Sequence, residues 1–209
     1  MLRKALVLTA LTTASLFIPV QKARAVCEIT PYIGASVPVR SLLIQVSGAT
    51  LIRNKTHTVY GLGISHTLSS KLGVELVAGA GTGSIEVVGG STALELASTL
   101  LFADVRGKFR IMGGDDANLG LVGGVGYTTQ KIGLFDYAKL SDSGEFKGKL
   151  TGIVGLSFGA ALSDRLRLSM EMVDRIREQG IVIEGSTGLN EPTQHDVTVT
   201  AGLSFPLSK

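Results

Sequence analysis

Eight charged residues stand out by their spacing: Glu75, Asp104, Arg106, Lys108, Arg110, Arg165, Arg167 and Glu171. They fall at alternate positions of short apolar runs. Period-two spacing puts side chains on one face of a β-strand. Three acids and five bases on such faces can do one of two things. In a confined space they must pair, because an uncompensated buried charge is strongly unfavourable. Around a water-filled passage they would line it, and the surplus of bases would favour anions. Arg167 and Glu171 share the inner face of one strand, with Glu75 and Arg106 at comparable depth on others, so the four are expected to belong to a paired plug. Loss of Arg167 from a paired plug would then cost about 3–5 kcal/mol. Little else suggests chemistry. His57, His66 and His195 lie on separate segments, and no spacing of His, Asp and Glu matches a metal site. The single cysteine, Cys27, excludes a disulfide framework and a Cys-rich metal centre. The glycine-rich run from Gly120 to Gly126 lacks the Lys-Ser/Thr of a phosphate loop. The expectation is no catalytic residue, no metal, no cofactor and no enzymatic activity.

The elements that carry these charges read as strands. Tyr60, Leu62 and Ile64 alternate with Gly61, Gly63 and Ser65. Leu72, Val74, Leu76 and Ala78 alternate with Gly73, Glu75, Val77 and Gly79. The same pattern runs through Leu101 to Ile111, Leu119 to Thr128, Leu150 to Leu162, Arg165 to Met172 and Val197 to Phe205. An eighth strand fits Thr30 to Pro38, with Ile33, Ala35 and Val37 on one face. Short connections fall at Ser69–Lys71, Gly113–Ala117 and Ser163–Asp164. Long ones are expected at about residues 39–57, 81–95, 129–148 and 177–194. Short turns on one side and long loops on the other predict an all-β, eight-stranded antiparallel up-and-down barrel crossing an outer membrane. An even strand number puts both chain ends on the short-turn, periplasmic side.

Which face meets lipid follows from residue type. One face is apolar throughout, as hydrocarbon requires. The other carries Gly, Ser, Thr, Ala and the eight charges, and small residues suit a lumen only wide enough for side chains. A soluble, lipocalin-like periplasmic barrel is the alternative, with the apolar face turned inward. Tyr60 and Tyr127 fall at the long-loop ends of their strands, and Phe109, Phe158 and Phe205 at the short-turn ends. All five are on the apolar face, as interfacial aromatics would be.

The chain has 209 residues, 44% of them hydrophobic, which excludes a mainly disordered protein. Its formal net charge of +3 does not argue for nucleic acid. Residues 1–25 hold Arg3, Lys4, Lys22 and Arg24 and no acid. Without them, 16 of the 20 Lys and Arg remain against 17 Asp and Glu, a net of −1. That segment reads as a cleaved signal peptide, with a charged start, a charge-free run from Ala5 to Val20, and Ala23-Arg24-Ala25 before the cut. The expected organisation is a signal peptide over 1–25 and one barrel domain over 26–209.

The chain resembles the small outer-membrane barrels of the OmpA, OmpX and opacity-protein type over about residues 30–206. The carriers are Pro31-Tyr32-Ile33-Gly34-Ala35, Tyr60-Gly61-Leu62-Gly63, the hairpin from Leu68 to Leu76, and the closing run from Val197 to Phe205. The family's chains usually end on an aromatic residue, whereas Phe205 is followed by Pro206-Leu207-Ser208-Lys209. The resemblance implies bacterial outer-membrane localisation, contact with outer-membrane lipid and lipopolysaccharide, and insertion by the barrel assembly machinery. A monomer is expected. The functions it implies are structural or adhesive, with a ligand held by the long loops, or those of a narrow, weakly anion-preferring porin-like channel.

Overall fold

In the computed structural model the described residues are 27–39, 50–89, 92–132, 145–178 and 193–207. The expected signal peptide lies outside them. The strands are β1 (Cys27–Pro38), β2 (Thr50–Asn54), β3 (His57–Thr67), β4 (Leu72–Gly89), β5 (Thr92–Gly113), β6 (Ala117–Ile132), β7 (Glu145–Ser163), β8 (Leu166–Glu178) and β9 (Thr193–Pro206). Every pairing is antiparallel, and the order β1-β3-β4-β5-β6-β7-β8-β9 closes when β9 pairs with β1. Eight strands therefore make the ring. β2 is not a ninth member but a continuation of β3. Asn54 pairs with Ile85 and Thr58 with Thr82, so one extra residue sits on the β2–β3 side. That is a β-bulge, which bends the strand without ending it.

Closure satisfies the backbone groups that an open sheet would leave at its edges. It also fixes which parity points inward. Among the described residues, seventeen buried side chains are polar or charged and eight are hydrophobic. The exposed residues include a band of large apolar ones, such as Ile33, Leu62, Leu76, Val105, Val125, Val154, Met172 and Val199. The interior is thus polar and the exterior apolar, the reverse of a lipocalin-like binder. Tyr60, Tyr127, Phe109, Phe158 and Phe205 all lie on this exterior, each more than 40% exposed.

The strands run further than the sequence pattern suggests. The expected loop at 81–95 is mostly hairpin, since β4 and β5 stay paired from Leu72–Phe109 to Gly89–Thr92. β2 occupies part of the expected loop at 39–57, and His57 begins β3. β6 continues to Ile132 and β7 starts at Glu145, which narrows the connection expected at 129–148. β8 reaches Glu178 and β9 starts at Thr193. The physical reason is shared. Once paired, a strand keeps its ladder hydrogen bonds beyond the apolar band, where its outward residues become polar, as Thr82, Ser84 and Glu86 do on β4.

Candidate functional site

The lumen is best followed along β5, whose inward residues run from the short-turn end as Arg110, Lys108, Arg106, Asp104, Phe102, Leu100 and Ser98. Lys108, Arg106 and Asp104 are met by Glu75 from β4 and by Glu171 and Arg175 from β8. Arg175 is bidentate on Asp104, with Nη1 donating to Oδ1 at 3.0 Å and Nη2 to Oδ2 at 2.6 Å. Arg106 donates to Asp104 Oδ2 at 2.6 Å and to Glu171 Oε2 at 2.8 Å. Lys108 donates to Glu75 Oε1 at 2.8 Å and lies 2.5 Å from Glu171 Oε1. Arg106 is also 3.9 Å from Glu75 Oε2. Three acids and three bases make the cluster neutral. In ring order β8 stands opposite β4, so the cluster bridges the full width of the barrel.

The cluster is dry enough for its charges to matter. The side chains of Asp104, Arg106, Arg175 and Glu75 are all 5% exposed or less. Charges this far from water keep their ionised forms only through mutual pairing. An apolar collar continues above them. Val59, Val77, Leu100 and Phe102 pack together with Tyr32 against them, and Val122, Ile153 and Val173 form a second cluster. Arg175 stacks over the Phe102 ring, 4.0 Å from its centroid. Tyr32 lies across β3 and β4, its hydroxyl donating to the Ala78 carbonyl at 3.2 Å. Gly61 and Gly79 permit this, because a Cβ on either would overlap that hydroxyl. Beside the cluster the free space shrinks to a cavity of about 20 Å³, room for about one water molecule.

A second polar network lies in the lumen nearer the long-loop end. Gln130 donates to Ser98 at 2.8 Å and to Asn54 at 3.2 Å, and His57 Nε2 is 3.1 Å from Ser98 Oγ. Arg177 pairs with Asp196 at 3.0 Å, and Gln194 donates to Asp196 at 2.6 Å. The short-turn end differs. It opens as a vestibule of about 1360 Å³, with Lys108 at its inner end and Arg110, Arg165 and Arg167 around it.

The eight charges singled out by spacing thus divide. Glu75, Asp104, Arg106, Lys108 and Glu171 come together in the cluster. Arg110, Arg165 and Arg167 do not reach it. Arg110 pairs with Asp115 at 3.2 Å, Arg165 is exposed in the β7–β8 turn, and Arg167 donates to the Asp115 carbonyl at 2.9 Å. Arg167, expected in the plug with Glu171, Glu75 and Arg106, stands outside it, because Glu171 is taken from across the lumen by Arg106 and Lys108. Arg175, Arg177 and Asp196 are buried, ion-paired lumen residues that spacing missed. Their signal was present: the parity of Arg167 and Glu171 continues through Val173 to Arg175 and Arg177. It was masked by inverted polarity, since Val173 points inward and Asp174 outward. Among the described residues no group of three His, Cys, Asp or Glu could hold a metal.

No protein-family model matches the sequence, and no curated protein matches it. Solved structures share its fold. The outer membrane protein OprG from Pseudomonas aeruginosa is 20% identical with a TM-score of 0.64, and the match covers 91% of this chain and 100% of that one. A major outer membrane protein from Thermus thermophilus is 13% identical with a TM-score of 0.52, over 87% of this chain and 99% of its own. Ail, the attachment invasion locus protein of Yersinia pestis, solved with the heparin analogue sucrose octasulfate, is 10% identical with a TM-score of 0.51, over 88% and 100%. The likeness is one of fold, that of the small outer-membrane β-barrels.

Proposed function

We propose that this protein is an integral barrel of the bacterial outer membrane with a structural or surface-interaction role and a lumen closed to solutes. It acts without catalysis. The observation that carries the reading is the neutral six-charge cluster, which joins β4 and β5 to β8 across the lumen. A second observation supports the membrane. The outward residues of β9 from Val197 to Phe205 are apolar over nine positions, which fits the 9–11 residues of a tilted membrane-spanning strand. On this reading the short turns face the periplasm, a signal peptide in residues 1–25 directs export, and the assembly machinery inserts a monomer. The long-loop end contacts lipopolysaccharide and offers any surface for an extracellular ligand.

The test is conductance after refolding and reconstitution. Folding is checked first by a shift in gel mobility between unboiled and boiled protein, as a closed barrel resists detergent. Planar bilayers containing the folded protein are then expected to show no stable unitary conductance. Steady conductance would establish the channel reading instead. Because the cluster is neutral, such a channel would draw any anion preference from the vestibule arginines.

A further inference from the structure

Arg110 on β5 and Arg167 on β8 reach the same residue. Arg110 Nη1 donates to the Asp115 carboxylate at 3.2 Å, and Arg167 Nη1 donates to the Asp115 carbonyl at 2.9 Å. Asp115 belongs to the β5–β6 turn, and the Ala161 amide of β7 donates to the Asp116 carbonyl at 2.6 Å, which extends the β6–β7 ladder one step into that turn. Asp115 and Asp116 line the vestibule beside the two arginines. Gly113 sets the direction of the turn. It has φ +88°, and a Cβ there would run into the Ala117 backbone.

The balance of charge in the vestibule differs from that in the cluster. Inside, each cation faces a carboxylate screened from water. At the mouth, Arg110 has a carboxylate whose side chain is 94% exposed, and among the described residues Arg167 has a backbone carbonyl and no ion pair. An exposed pair of that kind contributes little and is readily exchanged. Glu28, Asp116 and Asp164 line the same vestibule, but among the described residues no ion pair joins them to these two arginines. The guanidinium fork suits carboxylate and phosphate groups. The protein's own carboxylate, on a glycine-flanked turn, already stands at that fork.

We propose that Arg110 and Arg167 form a binding site for an oxyanion, a carboxylate or phosphate on a small water-soluble molecule, and that Asp115 occupies it as a displaceable internal substitute. That the solute comes from the periplasm rests on the topology proposed above; the binding itself does not. The experiment titrates inorganic phosphate into the protein refolded in phosphatidylcholine nanodiscs, at constant ionic strength with chloride as control. NMR signals of the Arg110 and Arg167 Nε–H groups and of the 113–117 amides are followed. They should shift saturably with phosphate and not with chloride. Asp115→Asn, which removes an exposed competing carboxylate, should tighten binding about threefold. Arg110→Gln with Arg167→Gln should abolish the shifts while the barrel keeps its unboiled gel mobility. No saturable shift, or shifts that persist in the double variant, would overturn the site. Shifts that appear only when phosphatidylglycerol replaces phosphatidylcholine, without added phosphate, would assign the arginines to a lipid headgroup and overturn the soluble ligand. A barrel that conducts ions would defeat the closed-lumen reading and leave this result unaffected.

Discussion

Asp104 is the residue on which the lumen cluster depends most. It is fully buried and accepts from two guanidiniums, those of Arg106 and Arg175. Removing its charge while keeping its shape leaves two buried cations beside each other with two carboxylates, Glu75 and Glu171, to share with Lys108. Breaking a buried pair from one side costs about 3–5 kcal/mol. Asp104→Asn should therefore lower the unfolding free energy by about that amount, read by urea titration of the refolded barrel with circular dichroism. Arg167→Ala removes one hydrogen bond to an exposed carbonyl and should cost about 1 kcal/mol or less. Equal losses from the two substitutions would mean that Asp104 is not the junction the distances describe.

At the scale of strands, the outward face of β5 makes a sharper claim about surroundings than about fold. Val105 is 56% exposed, between Leu76 of β4 and Val125 of β6. In water a lysine there would be harmless. In a bilayer it would cost about 2–4 kcal/mol near the midplane. Val105→Lys should destabilise the barrel by that amount in liposomes, measured by reversible urea unfolding, whereas Thr99→Lys on the same face should cost about 1 kcal/mol or less, since charges are tolerated near the interface. How much of this was legible in the sequence follows from the same strands. Alternation located the eight ring strands and the inward faces of Glu75, Asp104, Arg106, Lys108 and Glu171, because apolar and polar residues alternate cleanly where lipid and lumen both press on the chain. It lost the strand ends. Beyond the apolar band the polarity inverts: on β4 Ser84 and Glu86 face outward and Ile85 inward, and on β8 Asp174 faces outward and Val173 inward, so the alternation was lost after Gly79 and Met172, and Arg175, Arg177 and Asp196 were assigned to no strand face. The partner of Arg167 was not legible at all, since it is a backbone carbonyl of the β5–β6 turn, which no side-chain pattern marks.

For the whole molecule the open question is which end faces outward, and the fold supplies two well-placed reporters. Ser70 is exposed in the short β3–β4 turn, and Glu95 is exposed on the β4–β5 hairpin that runs beyond the apolar band. Assembly from the periplasm would leave the short turns behind and pass the long connections through, as in barrels with short periplasmic turns. With Cys27 replaced by Ser to remove the one native thiol, Glu95→Cys should react with a membrane-impermeant maleimide in intact cells. Ser70→Cys should react only after the outer membrane is permeabilised. The opposite pattern would invert the barrel and place the vestibule, with Arg110 and Arg167, on the cell surface. Equal labelling of both sites in intact cells, with the protein recovered in a soluble fraction, would remove the membrane altogether and leave the apolar exterior of β5 and β9 without a solvent that suits it.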